Sequence, residues 1–268
     1  MTGLTYSGVL KRMKDLLIIP NFFCSIPYWA NAGAVIKYQY DWVWVDADDV
    51  CLFPPIPWND RVFGEELPDA VVVIWSDFIW NDYMPSGWIS SILDYEFIYN
   101  PVDFLDISGG KWRKFRKNHL KWANTHDWVY NVRNSIPNPE RLKLLGVWAE
   151  KKQDSMEDVD IFINYLAGGK QGGGSVYFGE LYDRGKLVGL NVWDDNYMFL
   201  NYRFCIPHPD HEYMDEFLRW LFYTDSGVQS SGKYVNDGGS LGSSGLHQFK
   251  TKLNPAMIRK VKSYTRKV

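Results

Sequence analysis

The residues of this chain best suited to chemistry stand in one stretch, Tyr234 to Pro255, which reads YVNDGGSLGSSGLHQFKTKLNP. It is predicted to be a short strand over 233–236 that runs into a tight loop. Gly238, Gly239, Gly242 and Gly245 permit turns there that other residues resist. The loop feeds a basic, amphipathic segment with Leu246, Phe249, Lys250, Lys252 and Leu253. Polar groups at a strand end beside a glycine turn are a common site architecture. Acyl transfer from an ester to an amine needs a proton acceptor, donors for the developing oxyanion, and a means of holding the reactants together. Asp237 is the candidate to accept the proton or hold the amine. Lys250 or Lys252 offers positive charge to an oxyanion or a phosphate. Asn236 and the backbone N–H groups of Gly238, Gly239 and Ser240 suit positioning a carbonyl. A plainer role fits the same residues: Asp237 caps the loop and both lysines are solvated.

A second stretch carries charge. After Gly109 and Gly110, the residues Lys111, Arg113, Lys114, Arg116, Lys117 and Lys121 crowd into one short segment. Trp112, Phe115, His119 and Trp122 recur within it at three- and four-residue steps, which predicts a helix with one apolar stripe. Trp112, Phe115 and Trp122 are expected inside, and Lys114, Lys117 and Lys121 outside. Such a face is often no more than solvated.

Both stretches resemble the GNAT-like aminoacyltransferase superfamily. The resemblance is to the C-terminal catalytic domain of phosphatidylglycerol lysyltransferases and their soluble relatives, and more distantly to Fem-type aminoacyltransferases. Its marks are a strand ending in Asn236, then Leu241-Gly242, Gly245-Leu246, Lys250 or Lys252, and Asn254-Pro255. The Gly238-Gly239 pair and Phe249-Lys250 are the more Fem-like features. The opening part, with Tyr28-Trp29 and strands ending near Pro57, is similar to the N-terminal half of the same family. The loop acid of the family is Ser240 here, and the Arg-Asn pair of its basic helix is Lys117-Asn118. Lysine lacks the guanidinium fork, which weakens a planar clamp on phosphate or carboxylate.

The resemblance implies an α/β (α+β) fold, a GNAT-like mixed sheet flanked by helices, in two tandem halves. Residues 1–134, with the basic helix 110–124, make the first half, and 135–268, with the 234–255 signature, make the second. It also implies aminoacyl transfer, with Lys111, Arg113, Lys114, Lys117 and Asn118 beside a polyanionic donor. The cleft is then expected between the halves, with Asn236, Asp237 and Lys250 lining it.

The remaining pattern gives the scaffold. Residues 4–17 are predicted to be a helix ended by Pro20, and 35–46 and 50–53 to be strands before the breaker Pro54, Pro55, Pro57. The apolar run 70–75 is predicted to be a buried strand, 86–94 a short helix and 96–100 a strand. A strand over 127–133, helices over 137–151 and 156–166, and a bland glycine loop over 168–174 follow. Strands over 175–182, 187–193 and 197–204, joined by tight hairpins, lead to a helix over 210–224 capped by Asp210. The tail, with Arg259, Lys260, Lys262, Arg266 and Lys267, reads as further basic surface.

Composition narrows the classes. The 268 residues carry a net charge of -3, so no global basic field points to nucleic acid. The 13 Trp, 17 Tyr and 15 Phe are expected mainly in the core. Cys24, Cys51 and Cys205 have no paired spacing, so neither a disulfide framework nor a zinc motif is expected, and a reducing, cytoplasmic setting is the default. His208 and His211 have no third ligand nearby, so no metal is expected. No apolar run approaches the ~20 residues of a membrane span. Lys11, Arg12, Lys14 and Asp15 break up any leader-like segment. With no membrane domain in the chain, a lipid acceptor is not expected.

Coenzyme A in the usual GNAT seat is disfavoured. The turn before the 210–224 helix holds Pro207 and Pro209, which have no N–H to donate, and Asp210, Glu212, Asp215 and Glu216 put negative charge there. No cofactor is fixed by this, and the donor is expected to be an aminoacyl-tRNA, or an acyl-CoA held outside the usual seat. Two alternatives stay open. One is a phage-type enzyme that acylates a modified nucleobase in DNA, with aromatics holding the base. The other is a non-catalytic binding module on a transferase fold. Nucleic acid, as tRNA donor or DNA acceptor, is the partner either enzyme would need.

Overall fold

A computed structural model describes residues 4–39, 41–58, 72–76, 88–134, 137–151, 159–167, 174–240 and 242–266. The first helix, α1 (Tyr6–Asp15), starts at Thr5, whose hydroxyl accepts from the Gly8 N–H at 3.1 Å. It buries Val9 and Met13, the face marked by the sequence spacing. α2 (Ile26–Asn31) is capped by Ser25 and has Pro27 in its first turn. The strand predicted over 35–46 is instead a hairpin of β1 (Val35–Gln39) and β2 (Trp42–Ala47). It turns at Asp41, whose φ of 68° lies in the left-handed region that Asp tolerates. β3 (Val50–Cys51), β4 (Ile56–Pro57) and β5 (Val72–Ser76) follow, and residues 70 and 71 of the predicted apolar strand lie outside the described residues.

β6 (Trp88–Tyr99) corrects the sequence reading. In place of a helix over 86–94 and a separate strand, one 12-residue strand runs through both. Residues 86 and 87 lie outside the described residues. A long antiparallel partner decides the matter, because strand preference depends on what packs alongside. Two short 3-10 turns lead to α3 (Arg113–Ala123), the predicted basic helix. Then come β7 (Trp128–Asn134), α4 (Pro139–Lys151), α5 (Val159–Leu166), β8 (Val176–Asp183), β9 (Lys186–Asp195) and β10 (Phe199–Pro207). Residues 168–173 of the predicted glycine loop lie outside the described residues. Arg184 and Gly185, with φ of 49° and 80°, form the tight β8–β9 turn. The last elements are α6 (Met214–Thr224), α7 (Ser226–Ser230), β11 (Tyr234–Asn236), α8 (Ser244–Lys252) and β12 (Met257–Arg266).

All of the strands join one mixed sheet in the order β1-β2-β3-β5-β12-β6-β11-β10-β9-β8-β7, with β4 beside β2. Each half repeats one scheme. An antiparallel run leads to a parallel pair, β3 with β5 in the first half and β10 with β11 in the second. Each half then lends its last strand to the other. β6 pairs with β11, and β12 pairs with β5. The two lent strands pair with each other from Met257 opposite Ile98 to Arg266 opposite Trp88. The expected mixed sheet of two GNAT-like halves is present. The tail read as basic surface is a central strand, and Arg259 within it is 5% exposed. β7 pairs with β8 along its whole length, just before the boundary drawn from the sequence.

The aromatic load lies in the core as expected. Trp29, Trp42, Trp44 and Phe53 cluster in the first half. Tyr99, Phe104, Trp112, Phe115, Tyr202, Phe222 and Tyr223 cluster beneath α6, with Phe104 stacked on Tyr223 at 3.9 Å. No tryptophan whose side chain is described is exposed. The segment 20–25 of the first half lies on the opposite sheet face. Arg203 of β10 ties it down: Nη2 donates to Ser25 Oγ at 2.8 Å, and Nε to Asp194 Oδ2 at 2.7 Å. Both charged side chains are about 1% exposed or less. Replacing Arg203 with Met leaves Asp194 buried without its cation. The expected loss is about 3–5 kcal/mol, measured as a fall in the urea midpoint at unchanged slope.

Candidate active site

Asn236 ends β11 opposite Asn201 of β10. Beyond that pair the two parallel strands part. β10 continues to Pro207, while the other chain turns toward β6. There the Asp237 N–H donates to Phe97 O at 2.9 Å, and the Phe97 N–H donates to Gly238 O at 3.2 Å. Gly238 has φ of 61°, and a Cβ there would meet the Phe22 ring at 3.0 Å. A turn so tight and so closely covered admits only glycine.

Three elements hold the loop. The Asp237 carboxylate pairs with Arg219 of α6, and its Oδ1 lies 3.4 Å from Lys250 Nζ of α8. Lys250 Nζ also donates to the backbone oxygens of Asp237 and of Gly239, the latter at 2.7 Å. The Tyr99 hydroxyl donates to Lys250 O at 2.7 Å. Asp237, Arg219 and Lys250 are all buried, and burial pushes the Lys250 pKa below the usual ammonium value. The third element is β6. The Ser240 N–H donates to Asp94 Oδ2 at 2.8 Å, and the Ser240 hydroxyl to Asp94 Oδ1 at 2.9 Å. Ser240 is thus tied to a carboxylate from β6, a strand of the other half.

The structure therefore brings Asp237, Gly238, Gly239, Ser240 and Lys250 together, while the Asn236 side chain, expected beside them, turns to the other face of the sheet because side chains alternate along a strand. Lys252, the alternative to Lys250, is exposed on α8. On α3, Trp112, Phe115 and Trp122 are buried, and Lys111, Arg113, Lys114, Lys117 and Lys121 are exposed. The helix was expected on the first half, across a cleft. It packs instead on α6 of the second half. Asn118 is buried and its Nδ2 donates to Glu216 Oε1 at 2.7 Å. Glu216 and Arg219 are one turn apart on α6, so α3 reaches the Asp237 loop through that helix. The sequence reading missed Arg219, Asp94 and Asn201. Arg219 left a signal: it stands among Phe217, Leu218, Leu221 and Phe222, where a buried cation requires a carboxylate.

The turn before α6 holds Pro207 and Pro209, which have no N–H to donate. The first helical residue of α6 is Met214, and the preceding Tyr213 has φ of 65° and makes no side-chain cap. Asp210 is not the cap that the sequence predicts. It is exposed and pairs with Lys151 at 2.7 Å. Asp215 and Glu216 occupy the first turn. Burial, and then the neighbouring Asp215, push the Glu216 carboxyl up to about 8. His208 and His211 lie 5.5 Å apart between ring centres.

Two expectations follow from this geometry. A Cβ on Gly239 would fall within the Asp94 carboxylate and 3.1 Å from Tyr95 O. Gly239→Ala should displace Asp94 from Ser240 and lower stability by about 1–3 kcal/mol, read from denaturant midpoints. Glu216 holds its proton in the fold at pH values where the unfolded chain has released it. Its contribution to stability is complete below pH ~4.5 and is lost as pH rises toward 8. Glu216→Gln should flatten the decline in melting temperature between pH 5 and 8, with little change at the acid end.

No protein-family model and no curated protein matches this chain in sequence. Solved structures do match in fold. A conserved protein of unknown function from Bacteroides thetaiotaomicron VPI-5482 superposes with a TM-score of 0.74 at 15% identity, covering 98% of each chain. The C-terminal domain of a putative lysylphosphatidylglycerol synthetase from Agrobacterium fabrum gives 0.63 at 12%, covering 97% of this chain and 92% of that one. L-PGS from Bacillus licheniformis gives 0.60 at 17%, covering 88% and 85%. A tandem GNAT protein from the clavulanic acid biosynthesis pathway gives 0.56 at 10%, covering 98% and 95%. With its two exchanged halves and its parting strands at Asn236, the chain has the tandem GNAT-like fold of these proteins.

Proposed function

We propose that the chain is an acyltransferase of the aminoacyl-transfer type, which moves an acyl group from an ester to an amine or hydroxyl acceptor. The observation that carries this reading is the opening of β10 from β11 at Asn201 and Asn236. One side of that opening is a loop fixed by Arg219, Lys250 and Asp94. The same fold serves a lysylphosphatidylglycerol synthetase among its solved neighbours. In the reaction the acceptor attacks the ester carbonyl, the new C–N or C–O bond forms, and the ester C–O bond breaks. The acceptor proton passes to a base and on to the leaving hydroxyl. Asp94 and Ser240 offer a carboxylate and a hydroxyl 2.9 Å apart for that transfer. Asp237, with both cations on its oxygens, keeps the loop in shape.

The donor that this surface supports is a tRNA-borne ester. The usual pyrophosphate seat carries Asp215 and two prolines, whereas the exposed lysines of α3 lie on the helix that docks against α6. No specific observation favours a nucleobase acceptor, and no tryptophan whose side chain is described is exposed. The test is deacylation of charged tRNA by the purified protein, with and without amine acceptors. Ester loss should accelerate and fall at least about tenfold at 0.15 M salt when Lys114, Lys117 and Lys121 are all changed to Glu. Absence of acceleration with every aminoacyl-tRNA in a complete pool overturns the reading.

A further inference from the structure

The sheet ends on two edge strands, β1 and β7, and their edges are built differently. An open edge presents a row of unpaired N–H and C=O groups, which monomers blunt with short strands, lysine or proline. β1 is blunted in this way: it has five residues, and exposed Lys37 stands at its centre. β7 is not: its seven residues, WVYNVRN, hold neither lysine nor proline, and Val129 and Val132 are 56% and 39% exposed. Asp127 fixes which peptide groups are open. Its backbone O accepts from the Arg184 N–H at 2.9 Å. Peptide groups alternate in direction along an antiparallel strand, so Val129, Asn131 and Arg133 also turn theirs to β8. Trp128, Tyr130, Val132 and Asn134 turn theirs outward, and among the described residues β7 pairs with β8 alone.

The charges of β7 are placed for a second copy of the same strand. Trp128 packs on Phe217 of α6, so Asp127, Val129, Asn131 and Arg133 share the opposite face. With Tyr182 and Arg184 they line an open groove of about 560 Å³. Asp127 and Arg133 stand three residues either side of Tyr130. An antiparallel copy set with Tyr130 against Tyr130 therefore places each Asp127 opposite the other copy's Arg133. Trp128 then faces Val132, Val129 faces Asn131, and outward peptide groups meet outward peptide groups, as a ladder requires. Opposite charges directly across a strand pair attract, and like charges repel. Both charged groups are within reach of a partner. Asp127 is exposed, with no ion pair on its carboxylate among the described residues. The Arg133 side chain is 49% exposed, and its Nε lies 3.4 Å from Glu180 Oε2, which leaves the outer guanidinium nitrogens for a second carboxylate. The same pairing at β1 would set Lys37 against Lys37.

We propose that β7 is a dimer interface, in which two copies of this chain join edge to edge about a two-fold axis through Tyr130 and make one continuous sheet. The contact is isologous, since each copy gives and receives the same bonds. The axis stands perpendicular to the sheet, so both α6 helices lie on one face and the two grooves lie side by side across the seam on the other. This goes beyond the acyl-transfer reading and does not rest on it.

The test is sedimentation velocity of the intact protein over about a hundredfold range of concentration, across which a dimer should form. Val132→Pro removes an outward N–H and no bond to β8, so the variant should keep its fold by circular dichroism and stay monomeric. Asp127→Lys and Arg133→Asp each set like charges opposite one another, and each alone should weaken the dimer at least about tenfold. Mixing those two variants sets opposite charges at both ends of the seam and should restore pairing to within a few-fold of the parent. Native mass spectrometry identifies the mixed dimer by its mass. A monomer at every concentration overturns the proposal and leaves the edge to a different protein. A dimer that survives in folded Val132→Pro puts the interface elsewhere and overturns it too. Mixed variants that associate no better than either alone overturn the axis at Tyr130.

Discussion

The exchange of β6 and β12 is the constraint on which the rest of this structure depends. Each lent strand completes the other half's sheet, so neither half closes its own hydrogen-bond ladder. The exchange also delivers side chains that local sequence cannot supply. Asp94 on β6 reaches Ser240 in a loop of the second half. Arg259 on β12 pairs with Glu96 on β6, and the Phe22 N–H of the first half donates to Glu96 Oε1 at 2.5 Å. The site is built jointly by the two halves because the sheet is.

Charge is arranged in closed sets on both faces of this seam. On the α6 face, Asp237 is held by Arg219 and Lys250. On the other face, Asp194 answers Arg203 and Glu96 answers Arg259. Buried ion pairs contribute less to stability than to defining one arrangement. Here they tie the strands and the loop beside the gap to one another. Glu216 differs. Its carboxyl lies beside Asp215 with Asn118 as its bonded partner, and its raised pKa follows from burial at a place that repels negative charge.

What was legible in the sequence was local. The three- and four-residue spacing of Trp112, Phe115 and Trp122 gave the buried stripe of α3, and the glycines after Asn236 gave the loop. The Asp183 to Lys186 turn was equally clear from its Arg-Gly centre. What failed was long-range. The tail reads as basic surface because Arg259, Lys260, Lys262 and Arg266 stand close together near its end. Only the pairing with β5 and β6 makes them a central strand. Residues 88–94 were misread as a helix for the same reason, since their partner is more than 160 positions away in the chain. Asp94, Arg219 and Asn201 were missed because each acts through a residue distant in sequence.

The position of β12 also bears on how the molecule is made. Val72 of β5 waits for Thr265 to supply its neighbour, and Trp88 waits for Arg266. During synthesis the first half emerges with one edge of β5 and both edges of β6 unsatisfied, at what will become the middle of the sheet. Such edges invite pairing with other chains, and contacts this distant form late. The exposed Ile89, Ile92 and Leu93 on β6 add apolar surface to that interval. The final ten residues of the ladder therefore act as a closing clasp. Until they leave the ribosome, β5 and β6 lack the neighbour that separates them in the finished sheet.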